Sequence, residues 1–390
     1  MTRLNALATY SAASLAALGA AGAIHAAALE QTVPATIRLL SHEGRYLEFN
    51  LAFTSPHQDG SGVTIPPNPI GIPPGTYPGS TGNMLEDRWT FGGAWKDDIT
   101  DKLSYALIVD QPLMADTSFG PGTFPFQTSL YGGSSADLKT FQITGALAYE
   151  VTPNVTLYGG LRAQQLDASA ALSFVFDYSV DAERKWGYGY LLGASYQIPE
   201  YALRVALTYH SKISYDLDTT ETSSITGAPL SNQTSTDVDT PQSVTLEAQT
   251  GIDPKTLVFG SIRWVDWSEF EISPPDYEVA INALIGQSRP LVDYQDDWWT
   301  YTLGVGRQLT DTLAGSLSIS YEPSVGGEMT TLGPYDGRTV GTAALTYEMG
   351  QIEITGGLSY GVLGDTFNVL GTDFDDGSVW GAGLRIGYTF

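Results

Sequence analysis

Histidine, serine and aspartate are the residues from which a hydrolytic site would be built, and this chain uses the first of them sparingly. Beyond residue 28 it carries only His42, His57 and His210. None lies in a recognisable nucleophile motif, although a base and a nucleophile far apart in sequence can still meet in space. Residues 372–378, TDFDDGS, have the acidic spacing of a calcium loop, but Leu384 stands where the bidentate Glu belongs, so the helix-flanked motif is missing. A loosely held calcium on acidic loops stays open. No catalytic residue, metal centre or cofactor is expected.

Charge recurs instead at one kind of position. Glu48, Arg88, Arg162, Arg204, Glu247, Arg263, Glu348, Glu353 and Arg385 each fall opposite the apolar stripe of an alternating run. Charges of both signs on one wall can pair across a narrow lumen, whereas a basic residue facing lipid would cost about 2–4 kcal/mol near the midplane. The same side also carries Ala106, Ile108, Leu191, Phe259 and Trp298. A pore for hydrated solutes has little use for these, while an apolar ligand gains roughly 25 cal/mol for each Å² they cover. Packing against an internal plug is the alternative.

Strands must hold these faces. Counting back from the C-terminus, Phe390, Tyr388, Ile386, Leu384, Ala382 and Trp380 alternate with Thr389, Gly387, Arg385, Gly383 and Gly381. One face is apolar with aromatic ends, which fits a bilayer and its two headgroup levels. A half-buried strand of a soluble sandwich also alternates. Similar runs begin at residue 45, with Leu47, Phe49, Leu51 and Phe53 on one face, and total about fourteen, an even number as a bacterial single-chain barrel requires. Short links (97–101, 152–154, 199–200, 253–254) alternate with long ones (55–85, 112–136, 167–185, 211–240, 267–296). A soluble barrel has no reason to sort its loops by side. The pattern predicts an all-β, transmembrane antiparallel β-barrel over residues 45–390 in a bacterial outer membrane, with both termini periplasmic.

The first residues agree. Residues 1–28 combine Arg3, an Ala/Leu/Gly-rich core and small residues at 26–28, the pattern of a secretory signal peptide; an N-terminal anchor is the alternative. No later stretch approaches the roughly 20 apolar residues of a spanning helix, so any span must be a strand in a closed barrel. Residues 29–44 lack strand periodicity and read as a plug, or hatch, folded into the barrel; an untethered tail is the alternative. Cysteine is absent, which suits an oxidising compartment. With 18 basic and 43 acidic residues the net charge is −25, which argues against nucleic acid as a partner.

Two long links carry apolar side chains where polar ones would suffice: Phe119, Phe124 and Phe126 in residues 119–130, and Leu172, Phe174 and Phe176 in residues 167–177. They suggest an external landing site for a ligand, or a loop cluster packed over the barrel mouth. Residues 277–284 are weakly helical and would cap the opening.

Four stretches carry a resemblance: WVDWSEF (264–270) following PQSVTL (241–246), DKLSYALIVDQP (101–112) and EGRYLEF (43–49). Together they resemble the FadL/TodX family of outer-membrane transporters for long-chain fatty acids and other hydrophobic compounds. The resemblance implies a fourteen-stranded barrel with an N-terminal hatch. It further implies ligand uptake at an external apolar groove, transfer to an internal pocket and release sideways beside a kinked third strand. By position, Ala106 and Ile108 would line that pocket, and Leu39 and Leu40 would belong to the hatch. The short segment before the barrel departs from better-known members and leaves hatch movement open. A monomer in contact with outer-membrane lipid and lipopolysaccharide is expected, delivered to the barrel-assembly machinery through its C-terminal strand. The competing functions are a diffusion porin for hydrophilic solutes and an outer-membrane lipid hydrolase.

Overall fold

The computed structural model describes residues 29–32, 36–65, 74–120, 132–330, 332–333, 335–368 and 371–390. The expected signal peptide, Phe124 and Phe126 lie outside these residues.

Fourteen antiparallel strands form the wall. They are β1 (Tyr46–Ile65), β2 (Arg88–Thr100), β3 (Leu103–Asp110, resumed as Met114–Ser118), β4 (Ser135–Thr152), β5 (Val155–Leu172), β6 (Tyr178–Ile198) and β7 (Leu203–His210, resumed as Ile213–Ser223). The circuit continues with β8 (Leu230–Thr240, resumed as Ser243–Asp253), β9 (Thr256–Val265), β10 (Trp298–Gln308), β11 (Leu313–Glu322), β12 (Arg338–Met349), β13 (Ile352–Leu363) and β14 (Asp373–Thr389). Each pairs with its chain neighbours, and β14 returns to β1 in register from Tyr46↔Thr389 to His57↔Ser378. Closure removes the edges that an apolar medium could not satisfy.

The alternation sorts the side chains as expected. Phe49, Trp89, Phe91, Leu161, Leu303 and Leu358 stand exposed on the outside, while Glu48, Thr90, Ala106, Arg162, Phe259 and Arg385 are buried inside. Such an exposed apolar belt belongs against lipid. Aromatic rings gather at both rims: Phe53 lies 4.9 Å from Trp89 and 5.1 Å from Trp380 at one. At the other, Trp95 lies 5.5 Å from Phe390, with the Arg45 guanidinium over both rings. The chain enters and leaves the wall at this second rim, where Phe390 N–H donates to Arg45 O at 3.1 Å.

The long links are not simply loops. Residues 167–185 are mostly strand, with only a turn between Leu172 and Tyr178, and residues 213–240 form a hairpin in register from Ile213↔Thr240 to Ser223↔Leu230. The outer face of these extensions carries Ser, Asp and Thr, as at Ser214, Asp216, Asp218 and Thr220, while Ile213, Tyr215 and Leu217 turn inward, so they are strands standing in water beyond the belt. Their polar outer face gives them the composition of loops.

Candidate ligand-binding site in the barrel lumen

The geometry of the interior begins at a break in β3. The strand pairs with β2 up to Gly93↔Val109 and then turns at Gln111–Pro112, resuming against β4 at Met114↔Lys139. Pro112 has no N–H to donate, which favours a break in the ladder. Residues 88–92 of β2 therefore face no ladder partner on that side, and the Gln111 carboxamide bridges the seam by accepting from Phe91 N at 3.0 Å.

The freed edge is taken by the N-terminal segment. Glu30 forms an antiparallel bridge with Leu113, flanked by Gln31 N to Pro112 O at 2.8 Å and Met114 N to Leu29 O at 2.9 Å. The Gln31 amide adds a 3.1 Å bond to Met114 O. Across the lumen the Arg263 guanidinium clasps the Glu30 carboxylate, with Nη2 at 2.5 Å from Oε1 and Nε at 3.1 Å from Oε2. Removing one member would strand a buried charge.

Further along, the short helix α1 (Thr36–Leu40) is buried throughout. Arg38 Nη2 reaches both Glu48 oxygens, at 2.5 and 2.7 Å. Ile37, Leu39 and Leu40 pack with Tyr46, Ala106, Ile108, Ala146, Tyr158 and Leu191. His42 stacks on Tyr46 with ring centroids 3.8 Å apart. Burial, and then the charge of Arg38, pushes its imidazole down to about 3.

Three cavities lie around residues 29–32: a smaller one at the clasp itself, lined by Glu30, Arg162, His210 and Arg263, and two larger ones. The apolar one, about 710 Å³ counted to its mouth, is lined by Leu29, Leu138, Leu166, Ala168, Val180, Leu217, Val238, Leu291 and Leu332 among others. The second, about 560 Å³, shares Leu29, Ala115 and Leu332 with the first but adds Gln31, Arg88, Asp116, Tyr335 and Arg338. Leu29 thus stands in the partition between an oily and a polar chamber.

Outer elements close the top. The helix α2 (Pro275–Ile285) starts on Pro275 and ends at Gly286, whose φ of 77° and N–H to Asn282 O bond complete a left-handed cap. The Glu221 carboxylate accepts from the Tyr277 N–H at 3.0 Å and the Tyr178 hydroxyl at 2.7 Å, seating the helix N-terminus on the β7 extension. Burial, then the charge of Asp293, raises the Tyr277 hydroxyl well above its ordinary range. The 264–270 motif forms the rim under this cap: Trp264 faces outward and bonds Asp297 at 2.9 Å, while the buried Trp267 and Phe270 rings lie 5.2 Å apart beside Tyr294.

The sequence-derived residues divide among these places. Ala106, Ile108 and Leu191 lie inside but pack on α1, alongside Leu39 and Leu40. Phe259 sits with Leu257 and Ala314, away from these cavities. Trp298 stacks between Tyr294 and Tyr335 at 5.9 and 5.8 Å. Leu172 is buried in the cluster that surrounds the apolar cavity, with Phe174 and Phe176 against it, and Phe119 is buried beside Met84, Leu85 and Phe374. The cavity wall itself comes largely from Leu138, Leu166, Ala168, Val180, Leu217 and Val238. All but Leu138 and Leu166 belong to the strand extensions read from sequence as links, so only their inward parity could have marked them.

A closed wall with an outward apolar belt, two aromatic rims and an apolar chamber inside defines an outer-membrane β-barrel built to accept hydrophobic compounds. The chain belongs to the OMPP1/FadL/TodX family of outer membrane transport proteins, whose model matches residues 6–365. Solved structures agree in fold. A Pseudomonas aeruginosa FadL homologue is similar with a TM-score of 0.72 at 15% identity, covering 97% of this chain and 98% of that one. The Ralstonia pickettii toluene transporter TbuX gives 0.63 at 15% identity over 96% and 99% of the two chains. The Pseudomonas putida toluene transporter TodX gives 0.65 at 12% over 96% and 98%. No curated protein matches in sequence. The family and these neighbours are transporters and channels, not enzymes.

Proposed function

We propose that this protein carries hydrophobic small molecules, with long-chain fatty acids the first candidates, through the outer membrane by passive, ligand-gated diffusion with lateral exit. The observation that carries the reading is the clasp: residues 29–31 complete the free edge of the broken third strand while Leu29 walls off the apolar cavity. A ligand that fills the cavity displaces Leu29, the clasp opens, and the seam beside residues 88–92 offers a path into the bilayer. Residues 29–44 act as the hatch and residues 45–390 as the barrel, with residues 1–28 removed on export. The rim holding both chain ends faces the periplasm; the strand extensions, with Leu172, Phe174 and Phe176, receive the ligand outside. The driving force is the ligand's own gradient, so no cofactor is needed.

The test is uptake of labelled oleate into cells with and without the protein, with a sugar of similar mass as control. Oleate uptake should rise and saturate while the sugar stays flat. Sugar influx that rises instead would make the protein a porin.

A further inference from the structure

Resting on that reading, we infer that Arg88 is a specificity determinant that binds the acidic head group of an amphiphile whose tail occupies the apolar cavity. Every other arginine among the described residues has a hydrogen-bond or ion-pair partner: Arg38 has Glu48, Arg162 has Gln142, Arg263 has Glu30, Arg338 has Glu322 and Arg385 has Glu353, for example. Arg88 has no ion pair among these residues, and its buried Nε has no hydrogen-bond partner. Arg88 is half-buried; a guanidinium presents five donors in a rigid fork suited to a carboxylate, and withdrawing part of that fork from water without an anion is unfavourable. Such a cost is tolerable where a ligand supplies the missing anion.

Its position fits that role. Arg88 faces inward, because Trp89 beside it is exposed on the lipid side, and it begins the stretch of β2 that the break in β3 leaves unpaired. It lines the polar cavity, which touches the apolar one through Leu29, Ala115 and Leu332. Displacing Leu29 would join a chamber that holds a charged head to one that holds a hydrocarbon tail. Asp116 lines the same cavity but lies beyond ion-pair distance, and Arg338 is engaged with Glu322 at 2.8 Å. A neutral aromatic hydrocarbon would fill the apolar chamber and leave Arg88 unpaired. The structure therefore points to a long-chain acid over a hydrocarbon of similar size.

The experiment compares binding of oleate and oleyl alcohol, which share a tail, to the full-length purified protein and to Arg88→Gln and Arg88→Lys. The unmodified protein should prefer the acid by about tenfold or more, the worth of a charge-assisted bond. Arg88→Gln should lose that preference while keeping its affinity for the alcohol, which also shows that the variant is folded. Arg88→Lys should retain part of it. If Arg88→Gln weakens both ligands equally, or neither, the assignment of Arg88 is wrong while the transport reading stands. Equal binding of acid and alcohol by the unmodified protein would overturn it in the same way, and failure of both ligands to bind would overturn both readings.

Discussion

A buried side chain inside this barrel can pack on the wall, on the N-terminal segment or around a cavity, and neighbours decide which. Leu166 is about 1% exposed and lines the apolar cavity, so Leu166→Trp should fill the space and lower affinity for oleate at least about tenfold with the barrel still folded. Phe259 is equally inward but lies flat against the wall, with an added Cβ at Gly304 only 2.2 Å from its ring. Phe259→Ala should cost about 3 kcal/mol or more of stability and leave oleate affinity nearly unchanged. Heat-dependent gel mobility and a binding titration on the two variants separate these outcomes. A loss of binding in the Phe259 variant would extend the binding surface beyond the cavity.

Elements here owe their register to similar ring-on-glycine contacts. A Cβ at Gly193 on β6 would fall 2.2 Å from the Tyr158 ring on β5, whose hydroxyl is also bonded to Thr208 at 2.6 Å. Gly193→Ala should therefore destabilise the barrel by about 1–3 kcal/mol through overpacking, seen as unfolding at lower denaturant, with β-content retained.

The segment before β1 carries a pH term of its own. Its His42 titrates near 3 when docked and near 6.5 when free, so docking is fully supported above 6.5 and weakens as pH falls toward 3. At pH 5 the loss is at most about 2 kcal/mol. Protease cleavage near residue 42 should thus rise between pH 7 and pH 5, and His42→Phe should flatten the profile.

The membrane-facing strands were legible because lipid forces period-2 apolarity on one face: Phe49, Leu107, Leu192 and Leu303 all stand outside as alternation requires. Inward parity was legible too, since Ile108, Leu191 and Trp298 are all buried. What alternation could not supply was height and partnership. It could not say that Ile108 meets α1 while Leu217 meets the cavity, nor that Glu30, 233 residues from Arg263 in sequence, would become its ion-pair partner. The extensions beyond the belt escaped because the Ser, Thr and Asp on their outer face give them a loop-like composition.

At the scale of the whole molecule, the barrel joins an exposed apolar belt, an acidic composition and an interior that holds residues 29–32 and α1. A net charge of −25 favours solubility of the unfolded chain and does not oppose the proposed ligand, whose affinity would come mainly from apolar contact. Under the proposed function the interior admits a hydrophobic ligand without becoming an open pore. That function would use an N-terminal segment that completes a broken strand, as Glu30 does at Leu113, rather than one resting on an intact wall. The chain contains no cysteine, so an introduced pair reports on one contact alone.

The most direct measurement locks the clasp. Glu30 and Leu113 form the antiparallel bridge and, as a pair flanked by hydrogen bonds but not joined by them, should have Cα atoms close enough for a disulfide. Oleate uptake is measured with the Glu30→Cys, Leu113→Cys double variant oxidised and then reduced, against Glu30→Cys alone. Uptake that stops on oxidation and returns on reduction, with the single variant indifferent, is the predicted result. Uptake that continues unchanged through the locked protein would contradict gating by this segment.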